Sequence, residues 1–287
     1  MNKHFLGFGL GVRTDHFQEL LDRENCVDWL EIISENFMVA GGKPKYYLHA
    51  LRERYPMVMH GVSLSLGSAE PLNIAYLNQL KSLVNEVNPI WFSDHLCWTR
   101  TNSINSHDLL PLPYNSHVIK MVGDKIKQVQ ETIGKPFLIE NVSSYLSFKE
   151  STFSEWEFIN EIVHYADCGI LLDINNIYVS ARNHGFSAID YIQGINKSRV
   201  YQFHLAGHSD YGDYVIDTHD HPIANSVWEL YGKALEHFGA ISTMIERDDN
   251  IPQLQELLDE LSVAKKIANK TLAYSSHKQK PESMLSL

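Results

Sequence analysis

The sequence lacks the features of a secreted or membrane-spanning protein. It has only three cysteines, at positions 26, 97 and 168, and none of them forms a CxxC pair. This argues against a disulfide framework or a structural zinc module and is typical of a reducing compartment. The apolar runs stay shorter than the roughly 18 residues that a membrane span requires. We therefore expect a cytoplasmic protein that does not enter a membrane.

Positive charge is also scarce. The chain has 24 Lys and Arg against 35 Asp and Glu, which gives a net charge of −11 over 287 residues. A protein that holds a nucleic-acid backbone needs a cluster of basic residues to neutralise the phosphates, and we find none. The charge balance therefore argues against a nucleic-acid partner.

The sequence does contain a regular alternation of short apolar runs and longer amphipathic stretches. The predicted strands are Leu6–Arg13, Trp29–Glu35, Met57–Leu64, Ile90–Leu96, Pro136–Asn141, Gly169–Ile174, Val200–Leu205 and Ser242–Arg247. The clearest helical patterns are Ala75–Val87, Ser116–Ile133, Ser154–Tyr165 and Ser226–Phe238. Eight strands, most of them followed by a helix, predict an α/β fold of the (β/α)8 TIM-barrel type. We find no internal repeat or linker, so we expect one catalytic domain over residues 1–270 and a polar tail over 271–287.

Ionisable residues follow a pattern on these strands, and the chain has 15 histidines. Seven of the eight predicted strands end in a potential metal ligand: Glu35, His60, Asp94 with His95, Glu140, Asp173, His204 and Glu246. The loop after the seventh strand adds His208, Asp217 and His219. The carboxyl ends of parallel barrel strands lie on one face, where barrel enzymes place their active sites. Buried charges at so many strand ends are costly unless they are paired or bind metal.

Other polar residues have simpler explanations. A single His or Asp near a strand end most often caps a helix or makes a loop hydrogen bond, and we assign that role to Asp220, His221, Asp248 and Asp249. Cys26 and Cys168 are typical of small buried apolar residues. Cys97, two residues beyond His95, is a weak candidate for a position near the site.

The number of donors indicates more than one metal ion. The metal candidates His60, His95, Glu140, Asp173, His204, Asp217, His219 and Glu246 exceed the roughly three protein ligands of a single catalytic zinc. They suit two or three ions. All are nitrogen or oxygen donors, so Fe, Mn, Co and Zn are all compatible with them. The residues alone leave metal-assisted hydrolysis, isomerisation and redox chemistry open.

Several longer motifs resemble a known family. They run in order from about residue 5 to residue 255 and read GFGLGVR, EIISENF, HGVSLSLGS, SDHL, IENVSSYL, LLDINNIYVSARNHG, FHLAGH, DTHDHP and IERDDNIP. Together they resemble the multinuclear non-heme iron-dependent oxidases, a family long catalogued as uncharacterised bacterial proteins. The methanobactin-biosynthesis oxidase is a member of this family.

The resemblance implies a xylose isomerase-like barrel that carries two or three iron ions, with other divalent metals able to replace them. It implies that the enzyme uses O2 to modify cysteine in a ribosomally made precursor peptide, assisted by a small leader-recognition partner protein. The implied metal ligands are His60, His95, Glu140, Asp173, Asn175, His204, Asp217, His219 and Glu246. Glu140, His204 and Asp94 are the implied catalytic residues. Glu35 and His208 either bind metal or support the ligands.

Two other classes of protein compete with this interpretation. The first is a divalent-metal hydrolase or isomerase on the same barrel, like endonuclease IV or xylose isomerase, which shares much of the ligand order. The net charge of −11 argues against the DNA-cleaving version. The second is a metal carrier or scaffold protein, which rarely needs so many donors on one rim.

Overall fold

The structure is a computed structural model that describes residues 5–101 and 104–278. Within these residues, eight parallel strands close into a barrel in the order β1-β12-β9-β8-β7-β4-β3-β2. The barrel strands are β1 (Phe8–Gly11), β2 (Trp29–Ile33), β3 (Met57–Gly61), β4 (Phe92–His95), β7 (Phe137–Glu140), β8 (Gly169–Asp173), β9 (Val200–Leu205) and β12 (Ser242–Ile245). All eight predicted strands are confirmed, and so is the TIM-barrel class.

Two short antiparallel hairpins interrupt the strand-helix alternation. The first pairs β5 (Trp98–Thr101) with β6 (Ile104–Leu110), directly after β4. The second pairs β10 (Ser209–Asp210) with β11 (Val215–Ile216), directly after β9. Both extend loops at the carboxyl face, where the ligand-bearing strands end. Neither hairpin was predicted.

Helices cover the outside of the barrel. They are α1 (Phe17–Asp22), α2 (Lys43–Arg52), α3 (Ile74–Val87), α4 (Ser116–Ile133), α5 (Glu155–Ala166), α6 (Ile174–His184), α7 (Ala188–Gly194), α8 (Asn225–Phe238) and α9 (Leu254–Lys278). Two further short 3-10 helices span Thr14–His16 and Ser34–Phe37. The four predicted helices are confirmed to within one residue at each end. The last helix runs through position 278, and the rest of the predicted tail, 279–287, lies outside the described residues.

Local signals explain why the helices start and stop where they do. The Asn115 side chain accepts a hydrogen bond from the Val118 amide and caps the start of α4. The helix ends at Gly134, which adopts the left-handed conformation with φ 74°. At α5, Ser154 and Glu157 form a reciprocal capping box. These caps set the start and the end of α4 and the start of α5.

The barrel interior is layered because alternate residues of a strand point to the same side. An apolar layer at the amino end contains Val58, Leu138, Leu171 and Met244, all fully buried. Each of these residues stands two positions before a predicted ligand: His60, Glu140, Asp173 and Glu246, respectively. The apolar layer therefore forms the floor of the barrel, and the predicted ligands form the layer above it.

Candidate metal centre

The strand register brings the predicted ligands together on one rim. His95 of β4 lies opposite Glu140 of β7, and Asp173 of β8 lies opposite His204 of β9. Neighbouring barrel strands are only about 4.8 Å apart, so ligands on adjacent strands can reach a common ion. Three groups of His, Asp and Glu result, and in each group the donor atoms lie within 4.8 Å of one another.

The first group contains His60, His95 and Glu140. The Oε2 atom of Glu140 lies 3.3 Å from Nε2 of His60 and 3.4 Å from Nε2 of His95. All three residues are buried. The other ring nitrogen of His60, Nδ1, lies 2.8 Å from the Ser93 hydroxyl, which fixes the plane of the ring.

The second group shares Glu140 with the first and adds Asp173, His204 and Glu246. The Nδ1 atom of His204 lies 3.3 Å from Glu140 Oε1 and 3.0 Å from Glu246 Oε2. Asp173 also caps the start of α6, because its Oδ1 accepts a hydrogen bond of 2.6 Å from the Asn176 amide. This cap holds one carboxylate oxygen and leaves Oδ2 without a hydrogen-bond partner.

The third group shares Glu246 with the second and adds His219 and Asp248. His219 Nδ1 lies 3.1 Å from Asp248 Oδ2 and 3.5 Å from Glu246 Oε2, while its Nε2 lies 2.7 Å from Asp217 Oδ1. Asp248, expected to be a loop residue with a structural role, does form an ion pair with Arg13. The sequence analysis did not place Asp248 beside His219. Asp248 lies two residues after Glu246, and in an extended segment that spacing puts two side chains on the same side, so the spacing could have indicated a shared site.

Asn175 and His208 lie next to this third group. The Asn175 side-chain amide donates to Asp217 Oδ1 at 2.6 Å, and its carbonyl oxygen lies 2.7 Å from His208 Nδ1. His208 stacks on Tyr178 with ring centroids 4.9 Å apart. In this arrangement His208 orients Asn175. Metal binding by Asn175 or Asp217 stays a prediction.

Asp94 and Glu35 lie on the side of the rim next to His60. The two carboxylate oxygens of Asp94 accept hydrogen bonds from the backbone amides of His95 and Leu64, at 2.8 and 3.1 Å. Burial, and then the charge of Glu35, raise the pKa of Asp94 to about 7. Asp94 therefore fixes the backbone at His95, and its catalytic role stays a prediction.

The position of Glu35 differs from the one expected. The chain turns into a 3-10 helix after Ile33, so Glu35 follows the strand instead of ending it. Its Oε1 accepts hydrogen bonds from the Tyr76 hydroxyl at 2.7 Å and from the Val62 amide at 3.0 Å. These contacts make Glu35 a support for the loop after β3, and direct metal binding by it stays a prediction.

Several buried polar atoms at the rim lie near other donors but have no partner aligned for a hydrogen bond. They are His95 Nδ1, Glu140 Oε2, Asp173 Oδ2, His204 Nδ1 and His219 Nε2. Native proteins rarely leave buried polar groups unsatisfied, because each one costs on the order of 1–3 kcal/mol. Such a concentration of nitrogen and oxygen donors is the arrangement that divalent transition metals bind. The donor set therefore fits a multinuclear metal centre.

The electrostatics of the rim agree with this fit. Burial raises the pKa of Glu140, but three neighbouring histidines outweigh burial and lower it to about 2. Burial also lowers the pKa of His204, yet the carboxylates of Glu31, Glu246 and Glu140 raise it well above its usual range. A proton on His204 and the negative charge of Glu140 therefore stabilise each other. Metal ions would take over the stabilisation of that charge.

No cysteine among the described residues is a member of a donor group, although Cys97 lies close enough to Asp94 and Glu140 to feel their charges. Burial raises the pKa of the Cys97 thiol well above its usual range, and Cys97 joins none of the donor groups found among residues 5–101 and 104–278. In the same part of the chain, no helix is both long enough and apolar enough to cross a membrane.

Two interior residues near the rim, Glu31 and Gln202, were missed because only strand ends were considered.

A closed barrel of eight parallel strands surrounded by helices is the xylose isomerase-like barrel fold, and here its carboxyl rim carries clustered His, Asp and Glu that could hold metal ions. Solved structures with this fold include the IolI protein with a bound zinc atom, with a TM-score of 0.62 and 14% identity over 94% of this chain and 99% of that one. D-Psicose 3-epimerase from Clostridium cellulolyticum H10 is similar, with a TM-score of 0.58 and 12% identity over 94% and 98%. These likenesses concern the fold.

The chain belongs to the family described as RiPP precursor modification enzyme MbnB/TglH/ChrH, whose model matches residues 7–269. RiPPs are ribosomally made peptides that enzymes then modify, so the family confirms the resemblance drawn from the motifs. A UPF0276 protein of Caulobacter vibrioides is 50% identical over 262 residues, covering 91% of this chain and 94% of the relative. One of Vibrio parahaemolyticus is 41% identical over 260 residues, covering 89% and 90%.

Proposed function

We propose that this enzyme is an iron-dependent oxidase that uses O2 to modify cysteine residues of a ribosomally made precursor peptide. The observation that supports this most directly is the continuity of the three donor groups. Glu140 belongs to the first and second groups, and Glu246 belongs to the second and third. Glu140 and Glu246 would each help to hold two neighbouring ions, and neighbouring ions would suit a reaction that holds two reactants side by side.

Bound iron would supply coordination sites for the cysteine thiolate and for O2 and would accept electrons from the peptide. The protein's part is to hold and orient. We call the places where the first, second and third donor groups would hold an ion the first, second and third positions. Glu140 and Glu246 would help to hold ions at neighbouring positions, and His60 and His95 would complete the first position. Asp94 would hold the backbone of His95 in place through its hydrogen bond to that amide.

The donors around the third position would come from the loops that form the mouth of the barrel. Asp217 is held by a hydrogen bond from its backbone amide to the Tyr145 hydroxyl at 3.0 Å. Asp248 is held by its ion pair with Arg13. A peptide approaching from the carboxyl face would meet this position first. We propose that a small partner protein grips the leader segment, because the rim itself is occupied by ligands.

The test is to co-express the chain with a candidate Cys-containing precursor peptide and the partner, and then to measure the intact mass of the peptide. A four-electron oxidation removes four hydrogens from the peptide while O2 leaves as water, which lowers the peptide mass by about 4 Da. Iron-loaded enzyme should produce this shift with O2 and not without it. The same peptide with its cysteines changed to serine should stay unmodified.

Modification that does not depend on O2, or that persists in the serine peptide, would contradict the oxidase proposal. A hydrolase or isomerase on the same barrel would then be the better interpretation, because its chemistry needs the metal without an oxidant. The two functions are therefore separated by O2 dependence and by the identity of the product, not by the metal content.

A further inference from the structure

The barrel interior holds a buried carboxylate that belongs to none of the three donor groups. Glu31 of β2 is 1% exposed and stands two positions after Trp29, which lies in the apolar floor. Its Oε1 lies 3.0 Å from Nε2 of His204, and its Oε2 accepts a hydrogen bond from Gln202 Nε2 at 2.7 Å. A carboxylate this deep is costly unless both oxygens are paired, so these two contacts account for its presence.

The orientation of the Gln202 amide is fixed from the other side by Trp91. An indole N–H can only donate a hydrogen bond, and Trp91 Nε1 donates to Gln202 Oε1 at 2.7 Å. The NH2 group of Gln202 must therefore face Glu31. All three residues are buried, at 3% exposure or less, so water does not compete for these bonds.

This network also determines where His204 carries its proton. Gln202 Nε2 lies 2.9 Å from His204 Nε2 and could donate to an unprotonated ring nitrogen. In that tautomer, however, the lone pair of Nε2 would stand 3.0 Å from the negative Oε1 of Glu31. A protonated Nε2 instead donates to that oxygen, which is the favourable arrangement.

We propose that Glu31, held by Gln202 and Trp91, is a positioning residue that keeps the proton of His204 on Nε2, so that Nδ1 binds the metal. Nδ1 is the nitrogen that lies 3.0 Å from Glu246 Oε2, close to two carboxylates but not aligned for a hydrogen bond with either of them. Metal-binding histidines commonly donate their second N–H to a carboxylate, which fixes the ring and makes it a better ligand. The inference rests on the metal centre of the proposed function and not on the oxidation.

The first test measures metal binding without turnover. Zn²⁺ is titrated into metal-free protein in competition with a chromophoric chelator, comparing the wild type with Glu31→Gln. We expect the affinity for one ion to fall by about 10- to 100-fold. Glu155→Gln is the matched control, because it neutralises another carboxylate withdrawn from solvent at the start of α5, and it should bind like the wild type. Wild-type binding by Glu31→Gln would overturn the proposal.

A second variant acts on the hydrogen bond that orients Gln202, and only through Gln202 on Glu31. Trp91→Phe keeps an aromatic ring in the floor but removes the N–H that fixes Gln202, and Trp91 is not itself a donor residue. We expect a smaller, several-fold loss of affinity for the same ion. Unchanged affinity would show that the Gln202 amide does not need this anchor and would overturn that part of the proposal. This variant also tests the network if Glu31→Gln fails to fold.

The decisive measurement is the tautomer itself. Long-range ¹H–¹⁵N NMR of ¹⁵N-histidine-labelled, zinc-loaded protein distinguishes a protonated Nε2 with a bound Nδ1 from the reverse, and the His204 signals are those lost in His204→Gln. We expect the protonated-Nε2 pattern, and the reverse pattern would refute the inference. A protein that shows the expected pattern but does not oxidise a peptide would contradict the proposed function and leave this inference intact.

Discussion

Glu140, which is buried, and Glu155, which is partly buried, have opposite surroundings in the same barrel. Glu155 lines a cavity of about 350 Å³ formed mainly by the loop between β7 and α5, and it accepts a hydrogen bond of 2.9 Å from the Tyr191 hydroxyl. Burial raises its pKa to about 7. Glu140 is surrounded by histidines, its pKa is lowered to about 2, and its Oε2 has no hydrogen-bond partner.

The difference shows how a carboxylate's role can be inferred from its neighbours. Hydroxyl groups satisfy Glu155, so it needs no further partner and serves the packing of α5 against the rest of the shell. The donors around Glu140 can also bind a cation, and they leave part of its hydrogen-bonding capacity unused. Glu140 is buried and Glu155 is partly buried, and the chemistry of the neighbours is what separates their roles.

The largest expected effect comes from Glu140→Gln. The amide keeps the volume but removes the charge that two donor groups share, so metal content should fall by about one to two ions per chain. Turnover of the peptide should drop by about 100-fold or more. Elemental analysis and peptide mass spectrometry measure the two effects. Glu155→Gln should change neither, and equal losses in both variants would make the comparison between these carboxylates wrong.

Removing the metal should have the next largest effect. Iron-loaded protein should carry at least two transition-metal ions per chain by elemental analysis, whereas one ion or fewer would contradict the multinuclear centre. Each ion present at about 100 times its dissociation constant stabilises the fold by about 2.7 kcal/mol. Chelation should therefore lower the melting temperature measured by calorimetry. A melting temperature unaffected by chelation would indicate that the unsatisfied atoms do not bind metal.

Asp248 and Asp249 offer a smaller and more local contrast. Both are exposed neighbours in the loop after β12, but only Asp248 joins a donor group. Asp248→Asn should weaken binding at the third position by about tenfold and leave the other two positions unchanged. Metal titration measures this loss. Asp249→Asn is the control, and a similar loss there would mean that the loop acts only through its overall charge.

The smallest expected effect concerns pH and Glu155. Its folded pKa, about 7, lies above the usual value of 4.5 for a glutamate, so the folded state binds more protons than the unfolded state between these values. The contribution of Glu155 to stability is therefore complete below about pH 4.5 and is lost as the pH rises through about 7. Glu155→Gln should flatten the pH dependence of the unfolding free energy by about 1–2 kcal/mol, as denaturant unfolding at pH 5 and pH 8 measures. An unchanged slope would contradict the raised pKa.

Much of this site could be predicted from the sequence because a parallel barrel turns strand ends into neighbours. His60, Glu140 and Asp173 each follow an apolar run, and the fold alone brings such residues to one rim. Residues inside the strands were harder to recognise. Glu31 follows Trp29 and Leu30 in an otherwise apolar strand. Side chains of a strand alternate between its two faces, but in this strand both faces are apolar, so the sequence does not show whether Glu31 points into the barrel or out of it.

The loops were predicted least well. Asp248 lies beyond the last strand, where an acidic residue is more often a cap or an ion-pair partner, and it is indeed paired with Arg13. The hairpin β10–β11 was missed because each of its strands has only two residues, and the hairpin β5–β6 was missed because its sequence is largely polar. Their pairing depends on contacts within the loop, and the strand-helix period gives no information about these contacts.

The ligands of the three positions lie on different parts of the fold, some on barrel strands and some in loops, and this difference has a kinetic consequence. His60, Glu140, Asp173 and His204 are fixed by the hydrogen-bonded strands of a closed barrel. His219 and Asp248 belong to loops, and the Asp248 side chain is 47% exposed. Loops open locally far more often than barrel strands do. We therefore expect ions to exchange in a fixed order, with the outermost leaving first and returning last, so that iron supply would set how much of the enzyme is complete.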